Sequence, residues 1–339
     1  MFRPSFEGTG TEGTQVVPSS PALTSNDTAG MEFGPMAENL RLLLQASVAP
    51  SSLKVYHRSW TLFVNCTLEI NPSHLGPVNL PVSIPHLSLF VSYLHTEGYA
   101  AASIIAHTSS IGYIHRLMGF TNPVSATIIQ KLLAGVTKVS PPTPPRLPIT
   151  IGILVALLRG IDETVVHHYH RALLKAMLTV GFFGLMRIGE LTRSKEKIVP
   201  LNISQLTYYH SYISISITHF KHNQNLRPLE VPLQFQSLPE VCPVRHLSYY
   251  LSLRGFDSGP LFAFPTLSPI PRQFFSKHLS RLISFTGFQS DRYKSHSLRI
   301  GGASYYASLG YTDTQIRLLG RWESNSFVKY IRSARALSK

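Results

Sequence analysis

The residues best suited to chemistry lie near the end of this 339-residue chain. His296 and Arg299 are three positions apart, a spacing that places both side chains on one face of a helix. Gly301–Gly302 follows, and without a Cβ these positions allow another backbone or a nucleic-acid strand to approach closely. Trp322 and Tyr330 come later. An imidazole, a guanidinium, an indole N–H and a phenol can together bind an anion and attack it.

Three more polar residues lie upstream, at the ends of predicted elements. Arg187 directly follows a dense apolar segment, Glu190 comes three positions later, and Lys221 lies in a polar turn. Arg187 and Glu190 also fit an ordinary ion pair within one helical turn. Lys221 also fits a solvated turn lysine, and His219 and His222 compete for its place.

Trp322 and Tyr330 have alternative explanations as well. A tryptophan on its own is more often a core residue, because its ring buries a large apolar area. Tyr330 is one of 15 tyrosines, and Tyr305, Tyr306 and Tyr311 lie nearby. These three fall in the earlier part of the segment, where core packing is favoured.

The positive charge is concentrated in the second half of the chain. The formal net charge is +14, but residues 1–150 have eight Lys and Arg against seven Asp and Glu, whereas residues 151–339 have 23 against ten. A surplus confined to one half indicates a polyanionic partner, most commonly nucleic acid, although a basic and merely soluble domain has the same count. A hydrophobic content of 44% excludes wholesale disorder.

Several other classes of protein are excluded. Cys66 and Cys242 have no C-x-x-C partners, so neither a disulfide framework nor a zinc site is predicted, which fits a reducing compartment. No apolar run reaches the ~18 residues that span a membrane, and no signal peptide opens the chain. Neither a phosphate-binding Gly-rich loop nor metal-binding carboxylates are present. We expect an intracellular, soluble protein without metal or cofactor.

Composition and periodicity predict two domains in the chain, which is long enough for two cores. Residues 1–35 are rich in Gly, Ser, Thr and Pro and predict a flexible tail. Residues 36–139 contain four amphipathic helical stretches, typical of a compact all-α domain. The proline-rich residues 140–149 predict a stiff linker, and residues 150–339 form the second domain.

The second domain combines helices with a β-hairpin. Tyr208–Phe220 alternates with the period of a strand, and Leu226–Leu233 returns as a second strand whose prolines indicate a sheet edge. Lys221 then lies at the hairpin tip. The fold class is therefore mainly α with a small antiparallel β-sheet (α+β). The helices are predicted at Thr150–Arg159, His168–Met186, Cys242–Arg254, Arg272–Phe285, His296–Leu309, Thr312–Leu319 and Ser326–Ala336.

The segment SHSLRIGGASYYASLGYTDTQIRLLGRWES at 295–324, followed by KYIR at 329–332, resembles the tyrosine recombinases of the phage-integrase family. It is most similar to the recombinases of DIRS-, Ngaro- and Crypton-type eukaryotic transposons. The resemblance covers about residues 40–336 and includes the GLMRIGE sequence at 184–190. It implies a SAM-like all-α core-binding domain followed by a tyrosine-recombinase catalytic domain with the DNA breaking-rejoining fold.

The resemblance marks seven residues as the catalytic site: Arg187, Glu190, Lys221, His296, Arg299, Trp322 and Tyr330. Arg187 and Arg299 would grip the non-bridging oxygens of a phosphodiester, because a guanidinium matches them bidentately. Tyr330 would attack phosphorus and form a 3′-phosphotyrosyl link, and Lys221 would protonate the leaving 5′-oxygen. His296 would act as general acid/base or phosphate ligand. Trp322 would donate a hydrogen bond, and Glu190 would support the site as the acidic residue three after Arg187.

The implied function is site-specific cleavage and rejoining of double-stranded DNA for integration or excision of a mobile element. The resemblance further implies a homotetramer assembled on DNA and, in a eukaryote, a nuclear location. A domesticated protein that binds DNA without cutting it is one alternative, and a type IB topoisomerase-like enzyme is another. The interval from Trp322 to Tyr330 is one residue shorter than in many members of the family.

Overall fold

A computed structural model describes residues 34–70, 80–142, 144–193, 200–218, 227–328 and 331. The chain divides into two compact units, Met1–Thr143 and Pro144–Lys339. Most of the predicted tail at 1–35 lies outside the described residues, as do Lys221 and Tyr330.

The described part of the first unit consists of helices packed around one apolar core. The helices are α1 (Gly34–Ala46), α2 (Pro50–Ile70), α3 (Ile84–Thr96), α4 (Ala101–Leu117) and α5 (Thr127–Val139). The sequence predicts four helices in this region, the first of them capped by Ser51–Ser52, and α1 is an additional helix before it. The break falls just before Pro50, whose fixed φ suits the first turn of a helix and not its interior. Residues of the predicted apolar stripes are fully buried, including Phe63, Leu87, Phe90 and Ile111.

The second unit is mainly helical with a small sheet. Its helices are α6 (Ile151–Thr164), α7 (His168–Phe183), α8 (Ile188–Leu191), α9 (Pro243–Arg254), α10 (Arg272–Phe285), α11 (Ser295–Ser308) and α12 (Asp313–Leu319). Strands β1 (Leu206–Tyr208), β2 (Tyr212–Ile217) and β3 (Leu229–Gln234) form an antiparallel sheet in that order. The fold class predicted from the sequence is confirmed.

The sheet differs from the predicted hairpin by one strand. The sequence treats Tyr208–Phe220 as continuous, but the chain reverses direction after Tyr208, and the Tyr209 N–H donates to the Tyr212 carbonyl over 2.9 Å. β1 then pairs with β2, with Tyr208 opposite Ile213. β3 lies at an edge of the described sheet, as its prolines predict.

Two adjacent glycines set the position of α11. A Cβ on Gly301 would lie 1.9 Å from the Ile149 carbonyl oxygen, and a Cβ on Gly302 would lie 2.2 Å from the Phe182 carbonyl oxygen. The sequence allows either a protein backbone or a nucleic-acid strand to approach these glycines, and the structure shows protein backbone there. The contact at Gly302 holds the middle of α11 close to the end of α7.

The end of the predicted linker is packed into the second unit. The N–H groups of Leu147 and Ile149 donate to the carbonyls of Arg292 and Ser297, each over 3.0 Å. Ile149 is fully buried. The apolar side chains that follow the prolines therefore pack in the core of this unit, and this end of the predicted linker is not a solvent-exposed connection.

None of the described helices combines the length and hydrophobicity needed to cross a membrane. In the same part of the chain, no three His, Cys, Asp or Glu side chains are grouped as a set of metal ligands. Cys66 and Cys242 are both buried free thiols.

Candidate active site

The candidate site begins at the turn that ends α7. Gly184 caps this helix, Leu185 adopts a left-handed φ of 47°, and Arg187 is the N-cap residue of the short helix α8. Carbonyl groups at a helix C-terminus lack intrahelical partners and form the negative end of the helix dipole. The carbonyls of Gly184 and Leu185 therefore offer acceptors for cationic side chains at the place where Arg187 emerges.

Glu190 is the centre of a buried ion-pair network. Its carboxylate accepts hydrogen bonds from the Arg187 backbone N–H over 2.8 Å, from Arg187 Nη1 over 3.2 Å and from Arg321 Nη2 over 2.8 Å. Glu190 is only 5% exposed. The pairing of Arg187 with Glu190 agrees with their three-residue spacing, but the second arginine comes from a distant segment.

Arg321 is the residue that the sequence reasoning missed. Its side chain is completely buried, its φ is 55°, and its guanidinium donates to the carbonyls of Leu185 and Leu319 over 3.1 and 3.2 Å. Burial lowers the pKa of Arg321, and the Glu190 charge opposes that shift. The spacing in the sequence carried one signal for Arg321. The interval from Trp322 to Tyr330 is one residue shorter than the resemblance predicts, and the interval from Arg321 to Tyr330 has the predicted length.

Arg299 is buried in the same cluster. Its guanidinium donates to the carbonyls of Leu185 and Gly320, and its Cζ lies 4.0 Å from the ring centroid of Trp322. Arg299 is 1% exposed, whereas the side chain of Arg187 is 27% exposed. The two arginines that the sequence treats as an equivalent pair therefore differ. Arg187 reaches solvent, whereas the Arg299 guanidinium is buried and bonded to backbone carbonyls.

Trp322 packs in part as the core residue that the sequence left open as one alternative. It is half-buried in a small apolar cluster and packs against Phe327 at a centroid distance of 5.7 Å. Its ring also stacks on the Arg299 guanidinium, a favourable cation–π geometry. Gly320 makes this arrangement possible, because a Cβ there would lie 1.6 Å from the Trp322 ring.

His296 lies at the start of α11, half-buried among cationic side chains. Burial, together with the charges of Arg299, Arg146 and Arg187, lowers its pKa to about 4. The imidazole is therefore neutral at pH 7 and has a ring nitrogen able to accept a proton. Arg146, from the predicted linker, was not among the expected site residues.

Lys221 and Tyr330 lie outside the described residues, but the chain on either side of them is described in part. Thr218, close after β2, lines the same cavity as Glu190. Val328 and Ile331, on either side of Tyr330, belong to the apolar cluster that contains Leu185.

The neighbouring tyrosines are packed, as the sequence analysis favours. The Tyr306 hydroxyl donates to the Phe183 carbonyl over 2.8 Å, and the Tyr305 ring lies 5.7 Å from the Phe183 ring. Tyr311 packs against Tyr306 at a centroid distance of 5.0 Å.

Comparisons with known proteins find integrases and recombinases. No protein-family model matches the chain. A curated protein described as an integrase/recombinase XerD homolog, from Selenomonas ruminantium, is 22% identical over 276 residues, covering 77% of this chain and 75% of that protein.

Solved structures of DNA-bound integrases share the architecture. The Tn1549 transposon integrase in complex with transposon right end DNA has a TM-score of 0.60 and 15% identity, covering 89% of this chain and 96% of that one. A lambda integrase dimer bound to a COC′ core site has a TM-score of 0.59 and 14% identity, covering 87% and 75%. XerH recombinase bound to palindromic difH substrate has a TM-score of 0.58 and 16% identity, covering 83% and 76%. The chain has the tyrosine-recombinase fold.

Proposed function

We propose that this protein is a DNA strand transferase of the tyrosine-recombinase type. The observation that carries the proposal is the cluster in which His296 lies within the electrostatic field of Arg187 and Arg299, with Glu190 fixing Arg187. These residues come from two segments, more than 100 positions apart, of a chain that has the fold of DNA-bound integrases. The surplus of positive charge at 151–339 supports a polyanionic substrate.

The proposed chemistry assigns one step to each group. Tyr330 Oη attacks phosphorus while the bond to the 5′-oxygen breaks, which leaves a 3′-phosphotyrosyl link. Neutral His296 accepts the phenol proton, and Lys221 supplies a proton to the departing 5′-oxygen. Arg187 binds the non-bridging oxygens, since its guanidinium is held by Glu190 and still reaches solvent. One phosphoester bond replaces another, so the step needs no ATP.

One observation favours the second candidate, a protein that binds DNA without cutting it. The Arg299 guanidinium is bonded to the carbonyls of Leu185 and Gly320, so a phosphate must compete with both acceptors to reach it. In the catalytic proposal, a negatively charged phosphate displaces these neutral carbonyls, because an ionised acceptor forms the stronger hydrogen bond.

Further features belong to the same proposal. The helical first unit would act as the core-binding domain and the second unit as the catalytic domain, acting together on duplex DNA. Two strand exchanges on each of two duplexes require four active sites, hence a homotetramer on DNA. The sequence resemblance favours a mobile element of the DIRS, Ngaro or Crypton type, and a chromosomal target in a eukaryote requires a nuclear location.

A covalent-trapping experiment tests the catalytic proposal. The protein is incubated with a panel of nicked duplexes from the DNA that flanks its gene, and adducts are detected on a denaturing gel. We expect an adduct for wild type and none for Tyr330→Phe. The matched control is Tyr311→Phe, which should form the adduct because Tyr311 packs against Tyr306. An adduct with Tyr330→Phe would identify a different nucleophile. DNA binding by wild type without any adduct would favour the non-cleaving protein.

A further inference from the structure

A basic cavity of about 230 Å³ opens beside the candidate site, and the groups around it are suited to an anion. Buried Leu279 and Tyr293 contribute to its wall. Its polar lining consists of three cationic side chains and three hydroxyls, those of Arg146, Arg272, Lys294, Ser276, Ser280 and Ser295.

The fold places these groups from three different segments. Arg272, Ser276 and Ser280 recur every fourth residue of α10, so they share one face of that helix. Lys294 and Ser295 stand at the beginning of α11, where the helix dipole favours negative charge.

The third segment, with Arg146, is fastened next to them by the backbone. The Leu147 N–H donates to the Arg292 carbonyl over 3.0 Å, and Arg292 Nε donates back to the Pro145 carbonyl over 3.2 Å. Arg146 lies between these two contacts, so its backbone is held at the edge of the cavity on both sides.

The charge in the cavity is unbalanced. Among the described residues, none of its three cations forms a salt bridge with a carboxylate. Three like charges directed at one space repel each other, and an anion between them would turn that repulsion into attraction. The serine hydroxyls can rotate to donate to the same anion. The lining therefore fits a small, oxygen-rich anion such as a phosphodiester.

The cavity adjoins the candidate catalytic groups. Ser295 directly precedes His296, and Arg146 is close enough to His296 for its charge to act on that imidazole. We infer that the cavity binds a second backbone phosphate of the DNA, next to the phosphodiester held at Arg187. This inference rests on the proposed function, because it names another contact to the same DNA.

Salt-dependent DNA binding tests the inference. The dissociation constant of the full chain for a labelled duplex is measured by fluorescence anisotropy over a range of NaCl concentrations. We expect the triple variant Arg146→Ala, Arg272→Ala, Lys294→Ala to bind about tenfold or more weakly, and the slope of log K against log salt to become shallower by about 0.9, the value for one phosphate. Lys277→Ala, on α10 but outside the cavity lining, is the matched control and should leave both quantities almost unchanged.

A second variant tests the cavity without removing any cation. Ser276→Asp introduces a carboxylate that would occupy the place of the phosphate, so we expect a similar loss of affinity and of salt slope. If both variants are folded and bind DNA with the wild-type slope, the cavity is not a phosphate site, although the proposed function survives. If wild type itself binds no DNA, the proposed function fails and the inference fails with it.

Discussion

Arg321→Met should destabilise the second unit strongly, because it removes a buried cation from the centre of the site. The Arg321 side chain has no exposed surface and lies 2.8 Å from a Glu190 oxygen. Methionine is also long and unbranched, so it occupies much of the same space. The substitution therefore tests the charge and hydrogen bonds of Arg321 more than its volume.

The expected loss of stability depends on the Glu190 carboxylate, which stays buried after the substitution. Breaking a buried ion pair by removing one partner costs about 3–5 kcal/mol, because the other charge stays buried. Glu190 keeps its two hydrogen bonds from Arg187, which favours the lower end of that range. Arg321 Nε is buried without a hydrogen-bond partner in the described residues, and removing this unfavourable group offsets part of the loss of stability. We expect a loss of about 3 kcal/mol, a large share of a typical domain stability of about 5–15 kcal/mol.

Urea unfolding monitored by tryptophan fluorescence measures this loss in the relevant unit. The chain has two tryptophans, Trp60 in the first unit and Trp322 in the second, so a Trp60→Phe background leaves Trp322 as the reporter. The matched control is Arg159→Met. Arg159 pairs with Glu240 over 2.6 Å, but its side chain is 71% exposed, so its loss should leave the stability almost unchanged.

The double variant Glu190→Gln, Arg321→Met separates the ion pair from the other contacts. Once both charges are gone, no unpaired carboxylate remains buried, so the double variant should be more stable than the sum of the single losses predicts, by about 2 kcal/mol. Equal urea midpoints for Arg321→Met and Arg159→Met would refute the reasoning, as would strictly additive losses in the double variant.

Three further predictions concern pH, packing and binding. Folded His296 has a pKa of about 4, so below about pH 6.5 the unfolded chain binds a proton that the folded chain does not. The free energy of unfolding of wild type should therefore fall from pH 6.5 to pH 4. In urea titrations over that window, His296→Gln should lose about 1–3 kcal/mol less than wild type. Gly301→Ala forces a Cβ to 1.9 Å from the Ile149 carbonyl and should markedly lower the melting temperature, whereas Gly152→Ala, with open space around its Cβ, should not. Arg187→Lys should fold normally by circular dichroism but lose covalent adduct in the trapping assay at least about tenfold, because an ammonium cannot form the bidentate contact.

The sequence predicts most of the helices of the second unit because their signals are local. α10 has the predicted bounds, Arg272–Phe285, since apolar residues recur at helical spacing between two turn segments. The extra strand β1 was missed because the turn after Tyr208 contains neither Gly nor Pro, and the alternation of strand residues continues through it.

The candidate site is predictable only where its contacts are local. The Arg187–Glu190 pair follows from a three-residue spacing, but the contact of Glu190 with Arg321 joins residues 131 positions apart. Arginine is also rarely fully buried, so no pattern marks Arg321 or Arg299 as interior residues. Their burial becomes intelligible only once the carbonyls that end α7 are available as acceptors.

The arrangement of charges explains how DNA binding would prepare the site for chemistry. Glu190 is the one carboxylate that pairs with Arg187 and Arg321 among the described residues, and the charges of Arg299, Arg146 and Arg187 help to keep His296 neutral. A phosphate bound among these cations adds negative charge beside the imidazole, which raises the pKa of His296. In the proposed reaction the histidine would therefore become a stronger base when the phosphodiester is in place, so its ability to take the proton of an attacking phenol would be coupled to the presence of the substrate.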